Sequence, residues 1–411
     1  MPIKIVLNSE RAQQPMRMSK RRIAIGALLA QLLTTGTPVH AVPAQFTFIG
    51  SGFGHGVGMS QIGARGLALA GESATAILKR YYTGVEVGPV IDTHTVRINI
   101  AHQVTNFRLR TDDTDGFIRV FVKDQPFLEA PARTSLTFAL HDGLIHLTTT
   151  QGKRVNTFAN LESVTVRWNQ TISLFQQTGF SKYKYGQMQI AIVRAPKLGA
   201  RLELTNSLRL GDEYLYGVSE VASLWPTEAL KAQAIASRTY ALFRLSTYRP
   251  ACDCNMYATH TDQVFVGYAK IAEPRGGALW KAAVDATQGI AMTYNGQPFP
   301  AYYFSSSAGI TESAANAFGT AAPFALSVSD TWSTSSKLNP RFYTWKVSVS
   351  KDVIASAFKL PDVISLSILS RNQTGTVARI SATSSNGQSA QLRGETFRSR
   401  AKIPSAWFDI S

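Results

Sequence analysis

The sequence predicts an α+β fold with mixed, mainly antiparallel strands. Short runs of alternating apolar and polar residues fill residues 93–210, an alanine- and leucine-rich helical stretch covers 225–244, and strand-like runs return beyond residue 294. Because strands and helices come in separate groups, a regular parallel βαβ sheet is not expected. The chain has 411 residues, of which 45% are hydrophobic and 17% are charged, and this composition excludes a disordered protein.

The first 41 residues have the pattern of a secretory signal peptide. The basic cluster KRR at 20–22 precedes an apolar run at 23–33, and small residues at 39–41 form a cleavage site before Val42. The apolar run is shorter than the ~20 residues that a transmembrane helix needs, although an uncleaved membrane anchor stays an alternative. We therefore expect export, with a mature protein that begins near Val42 and works outside the cytoplasm.

The chain is strongly basic. It contains 42 lysines and arginines against 26 aspartates and glutamates, a formal net charge of +16. An exported protein does not meet nucleic acid, so the charge is better matched to an anionic cell-wall or membrane surface. The alternative is that the charge serves solubility alone.

The predicted organisation follows these patterns along the chain. After the signal peptide at 1–41, we expect a main domain at 42–330 with a strand-rich insert at about 93–210, and a strand-rich extension of the same domain at 331–411. The expected elements are a glycine-rich loop at 52–58, a helical stretch at 64–84, strands at 96–100, 118–122 and 164–167, helices at 225–244 and within 267–288, and strands at 302–307, 377–382 and 389–393. In the helix at 225–244, Pro226 suits the first helical position and Glu228 suits the first turn.

The glycine-rich loop does not match a nucleotide-binding motif. A GxGxxG pattern that starts at Gly52 or Gly54 fails at its last glycine, and no Gly-Lys-Ser/Thr follows for a P-loop. The glycines instead predict a backbone that passes close to a ligand, with His55 and Gln61 as nearby polar groups. A hydrogen-bonded loop histidine without a direct role is the alternative for His55.

Glu220 is a candidate general acid. It lies in an apolar stretch just before the long helix, and burial beside Val221, Leu224 or Trp225 would raise its pKa toward neutrality. Lys231 and Arg238 lie seven residues apart on that helix and share a face. This pair would either hold an anionic group of a substrate near Glu220 or lie in solvent.

Cys252, Cys254 and His260 form the one metal-like cluster of the sequence. Their spacing is not a standard zinc signature and no fourth ligand is evident. Zinc, a short-loop disulfide and free thiols all stay open, and no cofactor is required by the sequence.

Three stretches together resemble the family of stage II sporulation protein D and the amidase enhancer. They are GHGVGMSQIGA at 54–64 with YYTG at 81–84, EYLYGVSE at 213–220 with WPTEALKAQA at 225–234 and RTY at 238–240, and QVFVG at 263–267 with SSSAGITE at 305–312. The glycine-histidine motif precedes the segment of Glu220, whereas it comes near the C-terminus in the sporulation proteins, so the order resembles that of actinobacterial relatives. Ala308 and Phe318 depart from the residues that are usual in the family, which puts the substrate preference in doubt.

The resemblance implies a secreted protein that acts on peptidoglycan. Members of the family resemble lytic transglycosylases, which cut peptide-stripped glycan strands and leave 1,6-anhydro-muramic acid ends. It implies that Glu220 is the catalytic acid, that the long helix carries part of a glycan-binding groove, and that zinc is present in some members at the position of Cys252, Cys254 and His260. The residues that it implies for substrate binding are Lys231, Arg238, His55, Gln61, Ser305, Ser306 and Ser307.

A second function class stays open. The protein would then bind glycan without cutting it and would enhance a partner cell-wall amidase. The transglycosylase reaction needs one carboxyl group, whereas ordinary glycoside hydrolysis uses two, and the sequence offers one evident candidate in Glu220.

Overall fold

The computed structural model describes residues 44–177 and 179–411, in which helices combine with mainly antiparallel sheets. This confirms the α+β prediction. The predicted signal peptide lies outside the described residues. In the part of the chain that is described, no helix is both long and apolar enough to cross a membrane.

The N-terminal part supplies one long strand and two short helices. Its elements are β1 (Gln45–Gly50), β2 (Met59–Ser60), α1 (Gln61–Leu69), α2 (Ala74–Tyr81) and β3 (Glu86–Pro89). Serine side chains fix both helix starts, because the hydroxyl oxygens of Ser60 and Ser73 accept hydrogen bonds from backbone N–H groups of the first turns. Helix α1 therefore begins directly after the glycine-rich loop and holds the end of that loop in place.

The predicted insert folds into two sheets. Its strands are β4 (Thr95–Val104), β5 (Asn106–Arg110), β6 (Phe117–Val122), β7 (Gln125–Pro131), β8 (Ser135–His141), β9 (Leu144–Gln151), β10 (Arg154–Leu161), β11 (Val164–Trp168), β12 (Ile172–Gln176), β13 (Gly179–Tyr183), β14 (Gln187–Ala195) and β15 (Gly199–Arg209). Six of them form the sheet β10-β9-β8-β5-β12-β13, and the others belong to a seven-stranded sheet. Buried side chains of both sheets join one hydrophobic cluster, as the alternating sequence pattern predicts.

The region around the long helix follows the insert. Its elements are a π-helical turn (Leu210–Tyr214), a 3-10 turn (Leu215–Gly217), α3 (Thr227–Arg244), β16 (Met256–Tyr257), a 3-10 turn (Gly267–Ala269), α4 (Gly277–Asp285), β17 (Ile290–Thr293), β18 (Tyr303–Phe304), α5 (Ala314–Phe318) and a 3-10 turn (Thr331–Thr334). Helix α3 starts two residues later than the predicted range, with Pro226 as its N-cap. Strand β16 runs parallel to β4 and completes the sheet β16-β4-β15-β14-β11-β6-β7, so it ties this region to the insert.

The C-terminal part combines with the beginning of the described chain. Its elements are β19 (Trp345–Ser350), α6 (Lys351–Phe358), β20 (Ser365–Arg371), β21 (Val377–Thr383), β22 (Ser389–Arg393), α7 (Gly394–Ala401) and β23 (Phe408–Ile410). Strand β1 lies between β19 and β23 and is antiparallel to both. The side chains of Phe48, Phe397 and Phe408 pack together under this sheet.

Candidate functional site

An open groove of about 640 Å³ brings together parts of the chain that are far apart in the sequence. The glycine-rich loop, the residues before α3, the segment at 260–262, strand β18 and helix α7 all contribute to its walls. The polar side chains of this lining are His55, Gln61, Glu220, Tyr240, His260, Thr261, Asp262, Tyr302, Tyr303, Ser305 and Arg398. From α3, the side chain of Tyr240 reaches the groove.

Glu220 lies half-buried in the groove wall. Its Oε1 accepts a hydrogen bond of 2.6 Å from the backbone N–H of Val264. Burial raises the pKa of Glu220 above its ordinary value, and the hydrogen bonds from Val264 and Tyr303 oppose this shift. A carboxyl group with a raised pKa retains its proton closer to neutral pH, which is the property of a general acid.

Two sets of amide and hydroxyl groups surround Glu220, and one of them, through Gln61, holds its backbone. The Nε2 of Gln61 donates to the carbonyl oxygen of Glu220 at 3.2 Å and to the Oε1 of Gln233 on α3 at 3.2 Å. Gln263 donates to the hydroxyl oxygen of Tyr303 at 2.9 Å and accepts from the hydroxyl of Tyr214 at 2.7 Å. Gln61 therefore lines the groove, and its Nε2 also holds the main chain at Glu220.

His55 is a neutral groove residue. Its Nδ1 accepts a hydrogen bond of 3.0 Å from the backbone N–H of Val57, and its ring contacts Phe304 and Phe318. Burial lowers the pKa of His55 to about 3, with a further contribution from the positive charge of Arg398. The imidazole is thus uncharged at neutral pH and does not attract an anion.

A second carboxyl group, Asp262, was missed in the sequence, but its oxygens are already engaged. It accepts two hydrogen bonds from Arg249 at 2.5 and 2.8 Å, one from the hydroxyl of Tyr240 at 3.1 Å and one from the backbone N–H of Tyr257 at 2.9 Å. A carboxylate held by this many donors is a structural ion-pair partner. Glu220 is the carboxyl group of the groove that is open to a ligand.

Arg398 was also missed, and it is the arginine of the groove lining. It projects from α7 and pairs with Glu395, whose Oε1 accepts from its Nη2 at 2.7 Å. The hydrogen bonds to Glu395 use its Nε and Nη2, and its Nη1 has no partner among residues 44–177 and 179–411. Its helix belongs to the predicted extension, where no motif marked it.

Lys231 and Arg238 are not brought together in the groove, which corrects the prediction from their spacing. Lys231 pairs with Glu228 at 2.8 Å on the surface of α3. Arg238 is fully buried, and its guanidinium pairs with Asp92 at 2.8 Å and donates to the carbonyl oxygens of Ile290 and Gly211. A guanidinium surrounded in this way is part of the core and does not meet a ligand.

The three serines have different places. Ser305 lines the groove, whereas Ser306 and Ser307 are completely buried. The hydroxyl of Ser307 donates to Asp330 at 2.7 Å, and the backbone of Ser306 exchanges hydrogen bonds with Phe53. Of the three serines that were predicted to bind substrate, Ser305 is therefore the one that a ligand in the groove could contact.

The proposed metal cluster is not assembled. A disulfide joins Cys252 and Cys254, which leaves no thiolate for a metal, and His260 lies in the groove wall. Among the described residues, no group of three or more His, Cys, Asp or Glu side chains is placed to hold a metal ion. The spacing that suggested ligands is instead that of a tight cross-linked turn.

The glycine-rich loop packs closely against the backbone just before β18. Gly58 has φ +78°, and a Cβ at this position would overlap with the carbonyl oxygen of Tyr302. The close approach that these glycines allow is to the protein's own backbone at Tyr302, and an approach to a ligand stays a prediction. The loop shapes one wall of the groove and exposes His55 to it.

Fold and groove together define a class: an α+β protein with an open cleft around one half-buried, unpaired carboxyl group. Comparison with known sequences agrees with the motifs. Residues 199–294, which include Glu220 and α3, match the family described as Stage II sporulation protein (SpoIID).

Three curated relatives are similar to this chain over part of its length. Stage II sporulation protein D of Bacillus subtilis is 35% identical over 147 residues, which are 33% of this chain and 42% of the relative. That of Bacillus amyloliquefaciens is 34% identical over 143 residues, 32% of this chain and 40% of the relative. The amidase enhancer of Bacillus subtilis is 32% identical over 113 residues, 28% of this chain and 14% of the relative.

These matches confirm the resemblance seen in the motifs. Over the matched segment, the chain is similar to the family of stage II sporulation protein D and the amidase enhancer. The chain spans 42% or less of the lengths of these relatives.

Proposed function

We propose that this protein is a peptidoglycan lytic transglycosylase that cleaves peptide-stripped glycan strands. The observation that carries the proposal is Glu220, a half-buried carboxyl group with a raised pKa, in an open groove where the second carboxyl group is engaged by Arg249. A single available acid suits a reaction that uses no water, whereas hydrolysis normally uses two carboxyl groups. The similarity to stage II sporulation protein D supports the same choice.

The chemistry requires one group that first gives and then takes a proton. Protonated Glu220 donates its proton to the glycosidic oxygen as the bond to the muramic acid anomeric carbon breaks. The resulting carboxylate then accepts the proton of the 6-hydroxyl, whose oxygen closes on that carbon and forms the 1,6-anhydro end. The backbone N–H of Val264, at 2.6 Å, holds the carboxyl oriented through both steps.

The groove also suits an anionic sugar. The lactyl group of peptide-free muramic acid is a carboxylate, and Arg398 offers a guanidinium with an unused Nη1 in the groove lining. Charge-assisted hydrogen bonds of this kind are among the stronger contacts in proteins. In this proposal Arg398 takes the role that the sequence suggested for Lys231 and Arg238, and α3 supports the groove through Gln233 and Tyr240.

Export is part of the proposal. The signal-peptide pattern at 1–41, a disulfide and the positive net charge all suit a protein secreted to an anionic cell wall. N-terminal sequencing of protein recovered outside the cytoplasm should give a start near Val42. A retained basic cluster at 20–22 would indicate a membrane anchor.

The test is the substitution Glu220→Gln. Gln keeps the size of the side chain and an oxygen that accepts from Val264, but it has no acidic proton to give. We expect unchanged folding and glycan binding, and a cleavage rate lower by ~10²–10⁴-fold. The measurement is mass spectrometry of 1,6-anhydro ends released from peptide-free glycan.

Glu228→Gln is the matched control, because Glu228 is a carboxyl group of the same region that pairs with Lys231 outside the groove. Cleavage by Glu220→Gln at the native rate would remove the acid assignment. The similarity to the amidase enhancer supports one competing function. That function would replace the enzyme if the native protein releases no anhydro ends yet accelerates a cell-wall amidase.

A further inference from the structure

We propose that a second cleft beside the groove binds a neutral saccharide unit of the same glycan strand. This cleft of about 510 Å³ lies between β4, β13 and the segment at 257–261. Its polar and aromatic lining includes Asn99, His102, Ser181, Tyr257, Thr259 and Thr261. The inference rests on the proposed function, because it assigns the neighbouring groove to glycan.

The cleft and the groove are adjacent and share one lining residue. Thr261 lines both, and its neighbours divide between them: His260 faces the groove and Thr259 faces the cleft. All three residues lie on one exposed segment. A ligand that extends from Glu220 past His260 therefore enters the second cleft without crossing the protein core.

The cleft has the chemistry of a carbohydrate site. The ring of Tyr257 lies edge-on to the ring of His102 at 5.0 Å, which gives an aromatic surface for the apolar face of a sugar. The Nδ1 of His102 lies 2.9 Å from the completely buried Glu203, so its Nε2 points away from that partner. Hydroxyl groups of Ser181 and Thr259 add donors and acceptors for sugar hydroxyls.

The charges of the two sites differ, and this difference identifies the ligand. The described residues that line the cleft include no Lys, Arg, Asp or Glu, whereas the groove contains Arg398 and Glu220. Peptide-free glycan alternates a sugar that carries a carboxylate with N-acetylglucosamine, which is neutral. The cleft therefore fits N-acetylglucosamine, and the groove fits its charged neighbour.

The test compares ligands of two lengths. Oligomers of N-acetylglucosamine with two and with six units serve as uncharged probes, and calorimetry with the full chain measures their affinities. Ser181→Trp fills the cleft from the edge strand β13. Lys182→Trp is the matched control, because adjacent residues of a strand point to opposite faces and Lys182 is exposed.

We expect native protein and Lys182→Trp to bind the six-unit probe about tenfold more tightly than the two-unit probe. Ser181→Trp should lose this preference, and Tyr257→Ala should reduce it. Native affinity of Ser181→Trp for the six-unit probe would overturn the inference, and so would equal native affinity for both lengths. A native protein that shows the length preference but releases no anhydro ends would overturn the proposed reaction and keep the cleft assignment.

Discussion

Glu220 and Arg238 are both ionisable groups withdrawn from water, and they differ in how far the protein satisfies them. Arg238 has an aspartate at 2.8 Å and two backbone carbonyl oxygens at 3.0 and 3.2 Å. Glu220 accepts a backbone hydrogen bond from Val264 at Oε1 and a side-chain hydrogen bond from Tyr303, and no lysine or arginine pairs with it among the described residues. The first arrangement leaves nothing for a ligand, while the second leaves a carboxyl group that lines the groove without a cationic partner among the described residues.

This difference separates a structural charge from a chemical one. Removing a group from water is unfavourable, so a protein normally surrounds a buried charge with partners. Where partners are few, the carboxyl group keeps its proton more strongly and remains accessible to a reacting atom. Both residues lie within the family motifs, so the motifs alone do not tell the structural charge from the chemical one. The hydrogen-bond and ion-pair partners of each residue do.

The largest expected effect is a loss of stability in Arg238→Ala. The substitution leaves Asp92 buried without its guanidinium, and breaking a buried pair costs about 3–5 kcal/mol. Urea denaturation of the variant should show this loss, whereas Lys231→Ala, which breaks a partly exposed surface pair, should change stability by less than about 1 kcal/mol. A stable Arg238→Ala variant that no longer binds glycan would return Arg238 to the list of substrate-binding residues.

A smaller effect is expected for Arg398→Gln. Loss of the guanidinium should weaken binding of peptide-free glycan by about tenfold, because one charge-assisted contact to a carboxylate disappears. Binding of the neutral six-unit N-acetylglucosamine probe should stay within twofold of native, which a general loss of folding would not produce. Lys231→Gln serves as the control, and an equal loss in both variants would contradict the assignment to Arg398.

The smallest effect is a dependence of stability on pH. The folded pKa of Glu220 lies above the ordinary value of 4.5, so between these two values the folded protein binds more protons than the unfolded chain. The contribution of Glu220 to stability is therefore full below about pH 4.5 and is lost as pH rises through the folded pKa. The stability of Glu220→Gln relative to native protein should increase between about pH 4 and pH 7. Denaturation series at both pH values measure this, and an opposite slope would show that Glu220 is stabilised as a carboxylate.

The sequence was sufficient for features that depend on neighbouring residues. Alternating apolar residues located β4, β6 and β11, and the alanine-rich pattern located α3 to within two residues at its start. The position of Glu220 before that helix predicted the direction of its pKa shift. However, the groups around the carboxyl are Val264, Tyr303 and His260, which come from later segments of the chain.

Features that depend on tertiary contacts were beyond the sequence. The spacing of Lys231 and Arg238 places them on one side of a helix, but it does not say which elements cover each turn. Helix α3 is packed against α1, α2, α4 and β17, so one of these two cations is buried while the other is exposed. Arg398 was missed for the same reason. It is one of 42 lysines and arginines in the sequence, and only the fold shows that it lines the groove.

Strand β1 lies between β19 and β23, two strands from the other end of the chain. This arrangement limits how early in synthesis the groove can form. The pairing joins Gln45 to Ser350 and Phe48 to Ile410, so it cannot form until the ribosome has finished almost the whole chain. The groove has the same requirement, because His55 and Arg398 stand on its walls. Contacts this distant in sequence also form slowly. A chain that is interrupted before α7 therefore carries Glu220 without a complete site around it, and its carboxyl group has no finished groove in which to act.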